Sequence, residues 1–168
     1  MQQILTFIFS NFATIVIILA VLTAIIRALL ITPKKHDKIV DIFTSHIFFA
    51  VGLGLVWAGA FHVFMPQIAA KYIGWQTSPF QFEVGMGDIG MGLAAMIASI
   101  ASQGFRLGVI TYYAIFAYGA AAGHIYQMIE FHDFAPGNAG FVFWLDIIQP
   151  TVLLFLLWLN RRSKGDYW

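Results

Sequence analysis

Residues 39–65 read IVDIFTSHIFFAVGLGLVWAGAFHVFM and stop at Pro66. The stretch holds one acid, Asp41, and no Lys or Arg. At about 1.5 Å per residue it makes a helix of about 40 Å, enough to cross the ~30 Å hydrocarbon layer of a bilayer. Four further apolar runs, set off by polar or Gly/Pro punctuation, repeat the pattern. They cover about 4–31, closed by Thr32-Pro33 and the charged segment Lys34-Lys35-His36-Asp37-Lys38, then 79–101, 107–130 and 139–159, the last following Pro136-Gly137-Asn138. The reading is an all-α integral membrane protein with five transmembrane helices in one domain over residues 1–168.

Composition agrees. Of 168 residues, 60% are hydrophobic and 10% charged, against roughly 25% charged in a soluble domain. Mean hydropathy is +0.81. These values exclude a cytosolic enzyme, a disordered tail and a small secreted module. The absence of cysteine excludes thiolate metal sites, iron–sulfur clusters and disulfide exchange. Net charge is +1 without a clustered basic face, so no nucleic-acid partner is expected. The N-terminal MQQILTFIF has no basic residue before its apolar run, so residues 1–30 read as a retained span rather than a cleaved signal.

With five spans, the first loop, the third loop and the C-terminus share a side. That side carries Lys34, Lys35, Lys38, Arg106, Arg161, Arg162 and Lys164, with Arg27 close by, and only Lys71 falls opposite. Positive residues mark the cytoplasmic side. The expected topology therefore has the N-terminus outside and the C-terminus cytoplasmic.

The spans differ in kind. TIVIILAVLTAII, in the first, is bulky all round and reads as a peripheral, lipid-facing helix. The third carries Gly85, Gly87, Gly90, Gly92, Ala94, Ala95, Ala98 and Ser99; the fourth has Gly119-xxx-Gly123, and the second Ala50-xxx-Gly54. Small residues let helix backbones approach closely in lipid. Helices two to five are therefore expected as a compact four-helix bundle with the third at its centre. Ser78-Pro79-Phe80-Gln81 reads as that helix's start, with Ser78 as cap and Gln81 completing a capping box. Residues 66–77 read as an interfacial segment in which Ile68, Tyr72, Ile73 and Trp75 share an apolar face, either as a membrane anchor or as a lid over the outer mouth.

Ionisable residues inside spans are costly and point to function until a structural role explains them. His62, Glu83, Asp88, His124 and Asp146 come from four helices and fall in the outer half, below a rim of Gln127, Glu130, His132, Asp133 and Asn138. The inner half holds little beyond His46, Gln103 and Asp41 outside its charged loops. Pro150 withholds a hydrogen bond from the Asp146 carbonyl, four residues earlier.

Several chemistries use such a cluster. His62, Glu83, His124 and Asp146 offer two imidazoles and two carboxylates to zinc or non-haem iron, though with no Glu-x-x-His or His-x-x-x-His spacing. Haem needs His62 and His124 as axial ligands, and copper needs Met65, Met86, Met91 and His62. A pocket for a quinone-like, lipid-like or other small ligand needs only the cavity. A carboxylate beside a histidine also suits a small proton-coupled transporter. The same residues equally fix helix register in an accessory or assembly subunit, within a homo-oligomer or a larger membrane complex. Ser78 sits in no nucleophile elbow and no Gly-rich phosphate loop follows a strand, so the sequence does not point to an enzyme.

Lys71–Gly92 (KYIGWQTSPFQFEVGMGDIGMG), with Gly123-His124-Ile125-Tyr126 and Ala135-Pro136-Gly137-Asn138-Ala139-Gly140, resembles a family of small bacterial membrane proteins known only as a domain of unknown function. In manner that family is similar to DoxX-like four-helix membrane proteins. The resemblance covers roughly residues 40–160 and implies an inner-membrane helical bundle. If its motifs mark a ligand site, Glu83, His124 and Asn138 carry it. Asp146 joins them on estimated depth, with Asp88 and His132 as secondary members.

Overall fold

The computed structural model describes residues 11–31 and 36–164, which are helical almost throughout and contain no strand. In chain order the helices are α1 (Phe12–Leu30), α2 (His36–Phe64), α3 (Pro66–Ile73), α4 (Phe80–Ala98), α5 (Gln103–Glu130), α6 (Pro136–Ala139) and α7 (Phe141–Lys164). The expectations for residues 4–10 and for the loop lysines Lys34 and Lys35 lie outside the described residues.

Four helical stretches are long and apolar enough to cross a membrane: α1, α2, α5 and Pro136–Arg161, which takes in α6 and most of α7. The third span expected from sequence, now α4, is not among them. Its 19 residues give about 28 Å of helix, but Gln81, Glu83, Asp88 and four glycines dilute its apolar character. It nevertheless runs between the two ends that its neighbours connect. Near its start, the Gln81 amide donates to the Pro66 carbonyl at 2.8 Å. At its finish, the Ala98 and Ser99 carbonyls accept from Arg106.

The position of α4 follows from its glycines. A methyl added at Gly52 of α2 would sit 2.6 Å from the Gly92 carbonyl oxygen, and one at Gly92 would sit 2.7 Å from that of Gly52. Two helical turns away, a methyl at Gly59 would sit 2.5 Å from the Gly85 carbonyl and one at Gly85 2.9 Å from that of Gly59. Real Cβ atoms do not approach so closely, so only hydrogen fits at these crossings. Each pair is separated by seven residues on both helices, which sets one antiparallel register for the whole contact.

Two expectations are corrected here. Gly87, Gly90, Gly119 and Gly123 face open space, so Gly119-xxx-Gly123 is no packing seam. The centre of the fold is α2, which packs against α1, α3, α4 and α7, rather than the glycine-rich α4. The core nevertheless draws on four helices as the bundle requires, with Phe48 and Val51 from α2, Met91 and Ala95 from α4, Ile110 and Tyr113 from α5, and Leu153 and Leu157 from α7. Helix α1 lies outside it, packs mainly on α2, and buries only Ala24 fully.

Helix starts also differ from the sequence reading. Ser78 makes no side-chain cap, because α4 starts at Phe80 and Gln81 turns instead to the Pro66 carbonyl. Ser102 does cap α5, accepting from the Phe105 amide at 3.4 Å, and the helix starts four residues before the expected Leu107. Arg106, read from sequence as a loop charge, therefore lies in the first turn of α5 and is buried. Its guanidinium donates to the Ala98 and Ser99 carbonyls, to Ser45 Oγ at 2.9 Å and to Asp41 Oδ1 at 2.5 Å. A buried cation is stable only when its donors are met. Here it closes the exposed carbonyl end of α4 and ties α2, α4 and α5 together, with Asn160 of α7 reaching the same carboxylate.

The seam separates two outcomes of glycine substitution. Gly59→Leu is expected to destabilise the protein by about 3 kcal/mol or to block its accumulation, as overpacking does. Gly123→Ala, in open space, is expected to be neutral or stabilising by up to about 1 kcal/mol. Thermal unfolding in detergent, followed by circular dichroism, distinguishes the two.

Candidate functional site

At the end of the bundle opposite Arg106, the site begins with two short helices that pack against each other and against the long ones. Pro66 starts α3, and Gly74 ends it with φ +90, a left-handed conformation natural to glycine. The Asp133 carboxylate fills the space beside Gly74: a methyl there would fall 2.5 Å from Asp133 Oδ1. Asp133 Oδ1 accepts from the Ala135 amide at 2.9 Å, setting the chain direction just before Pro136 starts α6. Gly137 of α6 packs directly against Tyr72 of α3. The two short helices thus hold each other and present Asn138 inward.

Asn138 is wholly buried. Its amide nitrogen donates to the Asp133 carbonyl at 2.8 Å and to the His124 carbonyl at 3.3 Å. With the nitrogen directed to two acceptors, Asn138 Oδ1 is left to accept from His124 Nδ1 at 2.7 Å. That contact requires the hydrogen on Nδ1 and therefore fixes the tautomer of neutral His124. The other nitrogen, Nε2, lies 3.6 Å from Asp146 Oδ2. Trp75 covers the imidazole, with ring centroids 5.6 Å apart and the planes tilted by 42°.

Below this pair lies a second polar layer. Asp88 is buried, with Oδ1 lacking a hydrogen-bond partner among the described residues, and it interacts electrostatically with Asp146. Tyr113 lies within the electrostatic reach of both carboxylates and donates its hydroxyl to Gln149 Oε1 at 2.5 Å. Above the pair, a cleft of about 610 Å³ is lined by Gly74, Trp75, Gln76, Gln127, Phe131, His132 and Asp133. Trp75 belongs to both places, forming a wall of the cleft and the cover over His124. His132, on the same wall, has φ 51, unusual for a residue with a side chain.

The structure therefore brings His124, Asn138 and Asp146 together and adds Asp88 behind them. It leaves the other two sequence candidates elsewhere. Glu83 is exposed, and none of the described hydrogen bonds or ion pairs joins it or His62 to His124 or Asp146. His62 lies half-buried along the glycine seam against Gly85, with Nδ1 lacking a partner among the described residues. No group of three His, Asp or Glu side chains among the described residues is placed to hold a metal ion, so the quartet His62, Glu83, His124 and Asp146 is not assembled. The physical reason is helix rotation: depth alone put Glu83 level with the others, but its side chain points away from the bundle. Met91, one of the copper candidates, belongs to the apolar core.

Sequence reasoning missed Tyr113 and Gln149. Both were available from spacing: Tyr113 lies eleven residues before His124, close to three full turns, and Gln149 lies one turn beyond Asp146 on the same face.

The whole of this arrangement falls within a match to a family model described as "Family of unknown function (DUF6790)", over residues 10–166. The chain belongs to this family. No curated protein and no solved structure matches the chain. The family agrees with the resemblance carried by Lys71–Gly92 and His124, and it adds no activity, so the functional argument rests on the site.

Asn138→Leu is expected to leave His124 Nδ1 and the Asp133 carbonyl without partners and to cost about 2–3 kcal/mol. Glu83→Gln is expected to change stability by less than about 0.5 kcal/mol, as exposed substitutions do. Denaturation midpoints of the two variants in the same detergent check the contrast.

Proposed function

We propose that the protein is a five-span integral membrane protein of a bacterial inner membrane, and that its outer half binds a small polar ligand in exchange for a proton. In this reading α4 is the fifth span: it connects the same two ends as α2 and α5, and α2 covers the face that its glycines leave bare. Arg27, Lys38, Arg106 and Arg161 gather at one end, which supports a cytoplasmic C-terminus and an external N-terminus. The outward face of α1, with Ile18, Leu22, Ile26 and Leu29 exposed, suits lipid and offers a surface for a second copy or a larger complex.

The observation that carries the proposal is the His124–Asp146 pair. Its 3.6 Å separation is longer than a hydrogen bond and short enough for an ion pair. Because Nδ1–H is committed to Asn138, Nε2 is a bare acceptor in neutral His124, and an ionised Asp146 is also only an acceptor. Two acceptors facing each other in a low-dielectric bundle require one proton between them. A ligand hydroxyl or amine donor can replace that proton, entering from the cleft once Trp75 moves aside. The arrangement favours proton-linked binding over a metal centre, for which only His124 and Asp146 converge.

Infrared difference spectroscopy of the reconstituted protein tests the reading. Across a pH titration, wild type is expected to show a carboxyl or carboxylate change that disappears in Asp146→Asn and is altered in His124→Gln. A spectrum in which neither substitution changes that signal would overturn the proposal.

A further inference from the structure

A second site lies at the opposite, basic end of the bundle. A groove of about 840 Å³ runs between α1 and the turn from α4 to α5, with α2 as its floor. Its apolar walls include Leu19 and Phe49, 54% and 45% exposed. One wall is α1, which packs mainly on α2 and so leaves the groove open toward α4 and α5.

The polar groups in this groove form an asymmetric set. Arg106, at the back, directs its guanidinium to two carbonyls, Ser45 and Asp41. Arg27, on α1, takes part in none of the described ion pairs and lines the groove as a free guanidinium. The other side presents acceptors. His46 Nδ1 lies 2.7 Å from the Ile42 carbonyl. A carbonyl only accepts, so the hydrogen is on Nδ1, and in neutral His46 the Nε2 atom carries a lone pair. Gln103 Oε1 is buried and has no hydrogen-bond partner among the described residues. Asp41 meets Arg106 and Asn160 through Oδ1, leaving Oδ2 outside the described hydrogen bonds.

One cation and three acceptors beside an exposed apolar wall define the complementary molecule. It has an anion for Arg27, N–H donors for Asp41, His46 and Gln103, and hydrocarbon for Leu19 and Phe49. We propose that the groove is a binding site for a phosphoethanolamine phospholipid, with the phosphate on Arg27 and the ammonium on the acceptor side. An amide oxygen lacking a partner is costly, and an ammonium donor satisfies it once the Gln103 side chain turns its Oε1 into the groove. A choline head group has the same charges and no N–H. A glycerol head group has hydroxyls and no cation to face Asp41. The proposal is independent of the His124 site, which lies at the other end of the bundle.

Native mass spectrometry of the full chain, delipidated and offered equimolar phosphatidylethanolamine, phosphatidylcholine and phosphatidylglycerol with identical acyl chains, tests it. Wild type is expected to retain phosphatidylethanolamine over phosphatidylcholine by about tenfold, the discrimination given by one charge-assisted hydrogen bond. Arg27→Gln is expected to lower retention of phosphatidylethanolamine. Gln103→Leu is expected to narrow its preference over phosphatidylcholine, while Glu83→Gln, remote from the groove, changes neither. Equal retention of phosphatidylethanolamine and phosphatidylcholine, preference for phosphatidylglycerol, or an Arg27→Gln variant indistinguishable from wild type would each overturn the assignment.

Discussion

Two helix backbones touch where Gly52 meets Gly92 and Gly59 meets Gly85, and the remaining polar architecture is built around that contact. In the proposed five-span arrangement, lipid tails are as apolar as leucine, so hydrophobicity alone would give α4 little reason to leave lipid for α2. Close backbone approach supplies dispersion contacts and sets an antiparallel register. The same contact accommodates a helix that is too polar to resemble its neighbours. Asp88 follows Gly85 by nearly one turn and its Cβ lies beside Gly59, so the crossing that aligns the helices also carries a carboxylate into the bundle. His62 lies against Gly85 at the same crossing.

The two ends of the molecule treat buried polarity differently. At the basic end Arg106 has carbonyl, hydroxyl and carboxylate partners, so the charge is balanced and its role is to hold three helices together. At the other end, the hydrogen bonds of Asn138 itself are complete and those below it are incomplete. Asn138 fixes one side of His124, while Nε2, Asp146 and Asp88 form a group whose proton count is open. The paired charge of Arg106 supports a structural role, whereas unpartnered groups beneath a cleft support exchange with a ligand.

Much of this was legible in the sequence because hydropathy and charge act over whole helices. The apolar runs located α1, α2, α5 and α7, the bulky composition of α1 marked it as peripheral, and Pro66 marked the end of α2. Depth counting along those helices also placed His124, Asn138 and Asp146 at one end. What sequence did not show was rotation about each helix axis. Glu83 has the right depth and the wrong face. Gly119 and Gly123 have a familiar spacing yet meet nothing, whereas Gly52 and Gly59, seven residues apart, carry the real seam. Arg106 looked like a loop charge because nothing local showed that Ser102 caps a helix beginning before it, and its buried role depends on partners as distant in sequence as Asp41.

The account turns on the claim that Asn138 fixes His124 with its hydrogen on Nδ1 and leaves Nε2 to exchange a proton opposite Asp146. Solid-state nitrogen-15 NMR of histidine-labelled protein in bilayers observes both ring nitrogens directly, with His124→Gln assigning the signals. The account predicts that neutral His124 carries its hydrogen on Nδ1 and leaves Nε2 bare. A neutral His124 protonated at Nε2 would contradict it.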